Sequence, residues 1–179
     1  MDATDNKAFQ NTTAFQRKLK PAAWEIYAKV FPGCKIEDLR GKGVKVHILD
    51  KEFGIDSLIH VPGGQWLSLQ EKYRRNNAIK WLDFTQEYMN ASGTVYESPG
   101  EWFKLGAQLY FYGWSNAAET GFEKWAIMDI VKYKILVEKA GGLDKLGVLR
   151  KNSKYGRASF YAIPIMKLEE CFICDYRRF

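Results

Sequence analysis

Apolar side chains in the N-terminal part of the chain fall at helical spacing. Phe15, Leu19, Ala23, Ile26, Tyr27 and Val30 recur every three or four residues, which predicts a helix over 14–31. Pro21 lies inside this pattern and predicts a break or a fresh start, because proline lacks an amide proton and crowds the preceding turn. Pro32 and Gly33 end the segment. Residues 1–13 (MDATDNKAFQNTT) are polar and are expected to form a flexible N-terminal segment, with Thr12 or Thr13 capping the helix. Residues 14–179 are expected to form one domain, a length that can bury a substantial core.

A period of two takes over further along. Val44, Val46 and Ile48 alternate with Lys45 and His47, predicting a first core strand over 44–49. Asp56 to Val61 and Trp66 to Lys72 read as two strands joined by the turn residues Pro62, Gly63 and Gly64, a β-hairpin. Residues 78–89 fit a strand or a short helix, and 90–100 read as a loop. Leu109 to Trp114 predict an aromatic strand whose rings chiefly build the core. Trp125 to Ile130 predict a strand leading into a helix that Gly141 and Gly142 stop. The segment ASFYAIPIMKL predicts a last strand that Pro164 ends or confines to an edge. Strands and helices mix without a strict βαβ repeat, which predicts an α/β fold with a mixed central sheet flanked by helices.

The hairpin carries the densest chemistry. In a strand, i and i+2 share a face, so Gln70 and Lys72 point one way and Glu71 the other. Antiparallel pairing through the turn brings Asp56 opposite the Gln70–Lys72 stretch. Carboxylate and amide oxygens suit a hard divalent ion that keeps several waters and substrate oxygens, and an ammonium on the same face can orient or help deprotonate a water and stabilise developing charge. The bland alternative is an exposed hairpin with solvated charges, in which Glu71 pairs with Lys72 or Arg74.

The pattern Gly54-Ile55-Asp56, a hairpin, then Gln70-x-Lys72 resembles the PD-(D/E)XK nuclease superfamily, restriction-endonuclease-like and Holliday-junction-resolvase-like, in its Q-x-K variant. The similarity covers residues 20–115 and departs from the family in lacking a proline before Asp56. It implies a restriction-endonuclease-like core, a mixed four-stranded sheet flanked by helices, and Mg²⁺- or Mn²⁺-dependent endo- or exonuclease hydrolysis of phosphodiesters in DNA. Asp56 and Gln70 would then be metal ligands and Lys72 the catalytic lysine. An acid on the preceding helix would complete the set: Glu25 is the first candidate for metal binding and catalysis, Glu37 the second, and Asp50 a third acid near the site. The alternative is a non-catalytic nucleic-acid-binding or assembly protein that keeps the fold with an inactive site. A homodimer that cuts both strands, and an origin in a phage or mobile element or in DNA repair and recombination, fit the same resemblance.

Charge changes the picture in the same direction. The 179 residues carry 27 Lys and Arg against 21 Asp and Glu, a formal net charge of +6 that favours a polyanionic partner. Basic residues cluster at Arg17, Lys18 and Lys20, at Lys72, Arg74 and Arg75, and at Arg150, Lys151, Lys154 and Arg157; Lys18, Lys20, Arg74 and Arg75 are the candidate DNA contacts. His60 shares the strand face of Asp56 by even spacing. Three cysteines are too few for a disulfide framework and fit a reducing, cytoplasmic setting; Cys171 and Cys174 read as ordinary thiols more readily than as half a zinc site. No apolar run is long enough to span a membrane, and no nucleotide-binding loop or nucleophile elbow is present.

Overall fold

The computed structural model describes residues 3–39, 44–152 and 158–178, and the side chains of 12–39, 48–152 and 158–178. A long helix, α1 (Ala3–Val30), is followed by β1 (Lys35–Asp38), α2 (Val44–Phe53) and the hairpin β2 (Ser57–Val61) and β3 (Gln65–Arg74). A 3₁₀ turn over Asn76–Trp81 leads to β4 (Asp83–Asn90), the two-residue β5 (Ser98–Pro99) and the one-turn α3 (Glu101–Lys104). Then come β6 (Leu109–Ser115), β7 (Phe122–Asp129), α4 (Ile130–Ala140), α5 (Leu143–Leu146), β8 (Val148–Lys151) and β9 (Ser159–Pro164). A second 3₁₀ turn, Ile165–Cys171, precedes β10 (Phe172–Asp175). The fold is α/β, with a mixed six-stranded sheet of order β1-β2-β3-β6-β7-β10 and a four-stranded sheet of order β5-β4-β9-β8.

In the larger sheet, β1, β2 and β3 form an antiparallel meander and β6 pairs parallel to β3. Its two faces bury different clusters. Leu69 and Tyr73 of β3, with Leu109 and Phe111 of β6, pack on Phe15, Leu19, Ala23 and Tyr27 of α1. On the opposite face Tyr110, Tyr112 and Trp114 of β6 meet Phe84 of β4, Ile163 of β9 and Tyr133 of α4. The aromatic run is therefore core on both faces, alternate rings going to alternate sides. Phe111 has ring centroids of Tyr27, Tyr73 and Phe122 within 5.3, 5.7 and 5.1 Å, all edge-on, a preferred aromatic geometry.

Several expectations from the sequence need correction. The helix starts at Ala3, so Thr12 and Thr13 lie within it and not at its start, and it runs through Pro21 without a break. The apolar contacts at Phe15 and Leu19 before the proline and at Ala23 and Tyr27 after it hold both halves on the sheet, while Pro21 itself is exposed, where the carbonyl it strands can meet water. Residues 44–49 belong to a helix, not a strand; the first strand of the large sheet is Lys35–Asp38. Three alternations are compatible with either period, and Lys51–Phe53 extend the helical turn until Gly54, whose φ of +58° favours glycine, ends it. The strand before Pro164 ends at that residue, as one of the two expectations had it, but it is interior to the small sheet, between β4 and β8, and is not the last one, which is β10. Gly141 stops α4 as expected, with φ +85°. Among the described residues, no helix is long and apolar enough to cross a membrane.

Candidate active site

The hairpin register places the site. Ser57 pairs with Leu69, and the Asp56 amide donates to the Leu69 carbonyl at 2.8 Å, so Asp56 lies beside Gln70. The Asp56 carboxylate is almost fully buried and its Oδ2 accepts from the Glu71 backbone amide at 2.7 Å. Asp56, Gln70 and Lys72 line one cavity of about 650 Å³. Gly54 lines it too, and a Cβ there would stand 3.0 Å from Gln70 Oε1. That oxygen is buried and finds no hydrogen-bond partner among the described residues.

Gln70 and Lys72 face the smaller sheet. Lys72 Nζ lies 3.1 Å from Glu87 of β4 and 3.4 Å from Glu101 of α3, with only 16% of its side chain exposed. Burial acts to lower the Lys72 pKa, but the Glu87 and Glu101 carboxylates outweigh it and hold the ammonium above its ordinary value. It therefore stays charged and can position or stabilise, but it is a poor proton acceptor. Lys72 in turn pulls the Glu87 carboxyl down against its burial. Glu101 moves the other way: burial raises its pKa, Glu87 adds to the rise, and Lys72 and Tyr110 only partly oppose it. Tyr110, the β6 neighbour of Gln70, donates its hydroxyl to Glu101 Oε1, and Gln86 Nε2 donates to the same oxygen at 3.4 Å.

Neither Glu87 nor Glu101 stands out in the sequence. Glu87 becomes visible only once 78–89 is resolved into a turn and a strand, and Glu101 is signalled at most by the acid that follows Pro99-Gly100. Gly100 fixes its position: its amide bonds to the Tyr88 carbonyl at 2.8 Å, and an added Cβ would lie 2.8 Å from that same backbone. Gly100→Ala is therefore expected to push α3 outward, lowering stability by about 1–3 kcal/mol and loosening the Glu101–Lys72 pair. A melting curve checks the first effect; an unchanged midpoint would show that the backbone yields freely.

The other expected site residues divide. Asp50 lines the cavity, from α2. Glu25 is exposed on α1 and does not line it, since α1 contributes Thr13, Gln16, Arg17 and Lys20 instead. Glu37 faces His60 at 3.7 Å, and neither lines the cavity. Lys20 lines the cavity, is 8% exposed, and binds Asp38 at 2.7 Å and Glu71 at 3.0 Å. Arg74 is partly buried and donates to Thr85 Oγ1 at 2.9 Å. Arg75 and Lys18 are exposed, and both engage Glu119. Arg150 and Lys151 lie on β8, while Lys154 and Arg157 fall outside the described residues, as does the side chain of His47. Cys171 and Cys174 are free and pack in different core clusters; burial pushes the Cys171 thiol up to about 11.

The charge around the cavity is unbalanced. Its lining residues include the acids Asp38, Asp50, Asp56, Glu71, Glu87 and Glu101. Against these six stand the four cations Arg17, Lys20, Lys72 and Lys104, a difference of two negative charges when all are ionised. Among the described residues, no three Asp, Glu, His or Cys side chains are grouped to hold a metal. Oxygen is nonetheless the donor that a hard cation takes, and the unpartnered amide oxygen of Gln70 beside buried Asp56 fits Mg²⁺, which keeps several waters of its own. Compared with protein-family models, with curated proteins and with solved structures, the chain matches none.

Proposed function

We propose that this protein is a Mg²⁺- or Mn²⁺-dependent phosphodiester hydrolase acting on DNA, of the PD-(D/E)XK type that its Gly-Ile-Asp and Gln-x-Lys motifs resemble. The observation that carries the reading is the meeting of Asp56, Gln70 and Lys72 in one cavity with an excess of carboxylates, on the antiparallel-then-parallel strands of a mixed sheet. A cavity of that charge repels a phosphodiester unless a cation is added, so the reading requires a metal. Asp56 and the Gln70 amide oxygen would hold it, with Glu101, whose carboxyl feels the Asp56 charge, as a further acid of the same cavity. When bound, such an ion polarises a phosphate and acidifies a coordinated water. Lys72 contributes a fixed positive charge toward the phosphate, and the Glu71 amide holds the Asp56 carboxylate in place. Glu87 and Glu101 keep the Lys72 chain folded into the site.

The test is incubation of the protein with labelled single-stranded, duplex and branched DNA, with Mg²⁺, with Mn²⁺ and with chelator. Cleavage is expected only with metal and is expected to disappear in Asp56→Ala. Cleavage that persists in chelator, or in that variant, would overturn the assignment.

A second reading, a DNA-binding or assembly protein without catalysis, is favoured by one observation: Lys72 is already engaged by two carboxylates that a metal-bound substrate would have to compete with. It predicts DNA binding on the same panel with no product at any metal concentration.

A further inference from the structure

A second cavity, of about 350 Å³, shares no lining residue with the first. It is walled by the end of the 3₁₀ turn before β4, by α5, by β8 and β9, and by the start of the turn after Pro164. Three chemically different features meet in it. Trp81 is 52% exposed and presents an indole plane, with Lys80 Nζ 4.8 Å from its centroid. Lys145, Arg150 and Lys167 supply positive charge, against the acids Asp83 and Asp144; Lys145 is paired with Asp144 and Lys167 with the Leu146 carbonyl, while Arg150 makes no ion pair among the described residues. Asp83 is only 6% exposed, and its Oδ1 is buried without a hydrogen-bond partner among the described residues.

A buried carboxylate oxygen without a donor is destabilising, so Asp83 marks a position where a donor is wanted. An exposed indole beside it offers a stacking surface, and cations around both suit an anion. We propose that this cavity binds one unpaired nucleotide whose base carries an exocyclic amine. The base stacks on Trp81, the amine donates to Asp83, and the phosphate is met by Arg150 with Lys145 and Lys167. An inorganic anion would satisfy the cations alone, and an uncharged ring would satisfy Trp81 alone; a nucleotide satisfies all three. The volume, at the low end of the roughly 300–1,000 Å³ of small-molecule sites, suits a single nucleotide and excludes a duplex. The proposal goes beyond hydrolysis at Asp56 and stands or falls separately from it.

The experiment is calorimetric titration of the purified full-length chain, in chelator, with dCMP, dTMP and inorganic phosphate. Cytosine presents an amine donor where thymine presents only an acceptor. Saturable dCMP binding is expected, with dTMP and phosphate each weaker by about tenfold or more. Trp81→Ala and Arg150→Ala alter exposed side chains, so both variants should fold, and each is expected to weaken dCMP by about tenfold. Asp83→Asn, which can donate as well as accept, is expected to narrow the gap between dCMP and dTMP. The proposal is overturned if dCMP shows no saturable binding, if dCMP and dTMP or phosphate bind equally, or if Trp81→Ala and Arg150→Ala bind as the unaltered chain does.

Discussion

Alanine in place of Lys72 is expected to lower metal-dependent DNA cleavage by about 10²-fold or more while the protein stays folded. The size follows from removing a fixed charge that acts where negative charge develops, a loss of about 10²–10³ in comparable sites. The survival of the fold follows from Glu101. Burial already biases its carboxyl toward the protonated form, and Tyr110 and Gln86 remain as partners, so it can take a proton when the ammonium is removed. Glu87 is 40% exposed at its side chain and can turn to water. Single-turnover cleavage and a melting curve on the same preparation separate the two effects. Cleavage at the unaltered rate would remove Lys72 from the mechanism; collapse of the fold would make it a structural ion-pair residue first.

The second large effect is on stability. Lys20→Ala is expected to destabilise the protein by about 3–5 kcal/mol, because removing one member of a buried ion pair leaves the other uncompensated. The Glu71 side chain is fully buried and Lys20 is 10% exposed at its side chain, so the carboxylate left behind is screened from solvent in the folded protein. Tyr27 still donates to Glu71 Oε1 at 2.7 Å, which keeps the loss toward the lower end. Replacing the exposed Lys18 should change stability by less than about 1 kcal/mol, since its partner Glu119 remains bound to Arg75. Chemical denaturation of both variants measures the difference. Equal midpoints would mean that Glu71 finds another partner.

The hairpin and its pairing were legible because turn residues and two period-two runs are local signals, and the register then follows from the turn. The helix after β7 was legible for the same kind of reason, with a glycine stop at Gly141. What escaped depends on distant chain. Residues 44–49 alternate like a strand, but the sheet position they would have taken is filled by Lys35–Asp38, whose pairing with β2 no local pattern announces. Lys20 looked like a surface cation because its sequence neighbours are basic; only the arrival of β3 against α1 buries it on Glu71. Glu87 and Glu101 lie 15 and 29 residues from Lys72 and reach it through pairing of β4 with the rest of the small sheet and the turn of α3. The meeting of Asp56, Gln70 and Lys72 in one cavity, then, was readable from spacing, while the acids that surround the lysine were not.

Strand β3 carries buried charge on both of its sides, Glu71 toward Lys20 and Tyr27, Lys72 toward Glu87 and Glu101. A slip of this strand by one residue would exchange the two sides. Glu71 would then be driven among two other carboxylates, and a lysine or an amide would replace it opposite Lys20. Leu69 and Tyr73 share the face of Glu71, so the same slip would also carry apolar side chains away from α1. The alternating charges penalise the neighbouring alignment electrostatically, so the residues proposed for chemistry also act as a register lock that selects one pairing of the central strand.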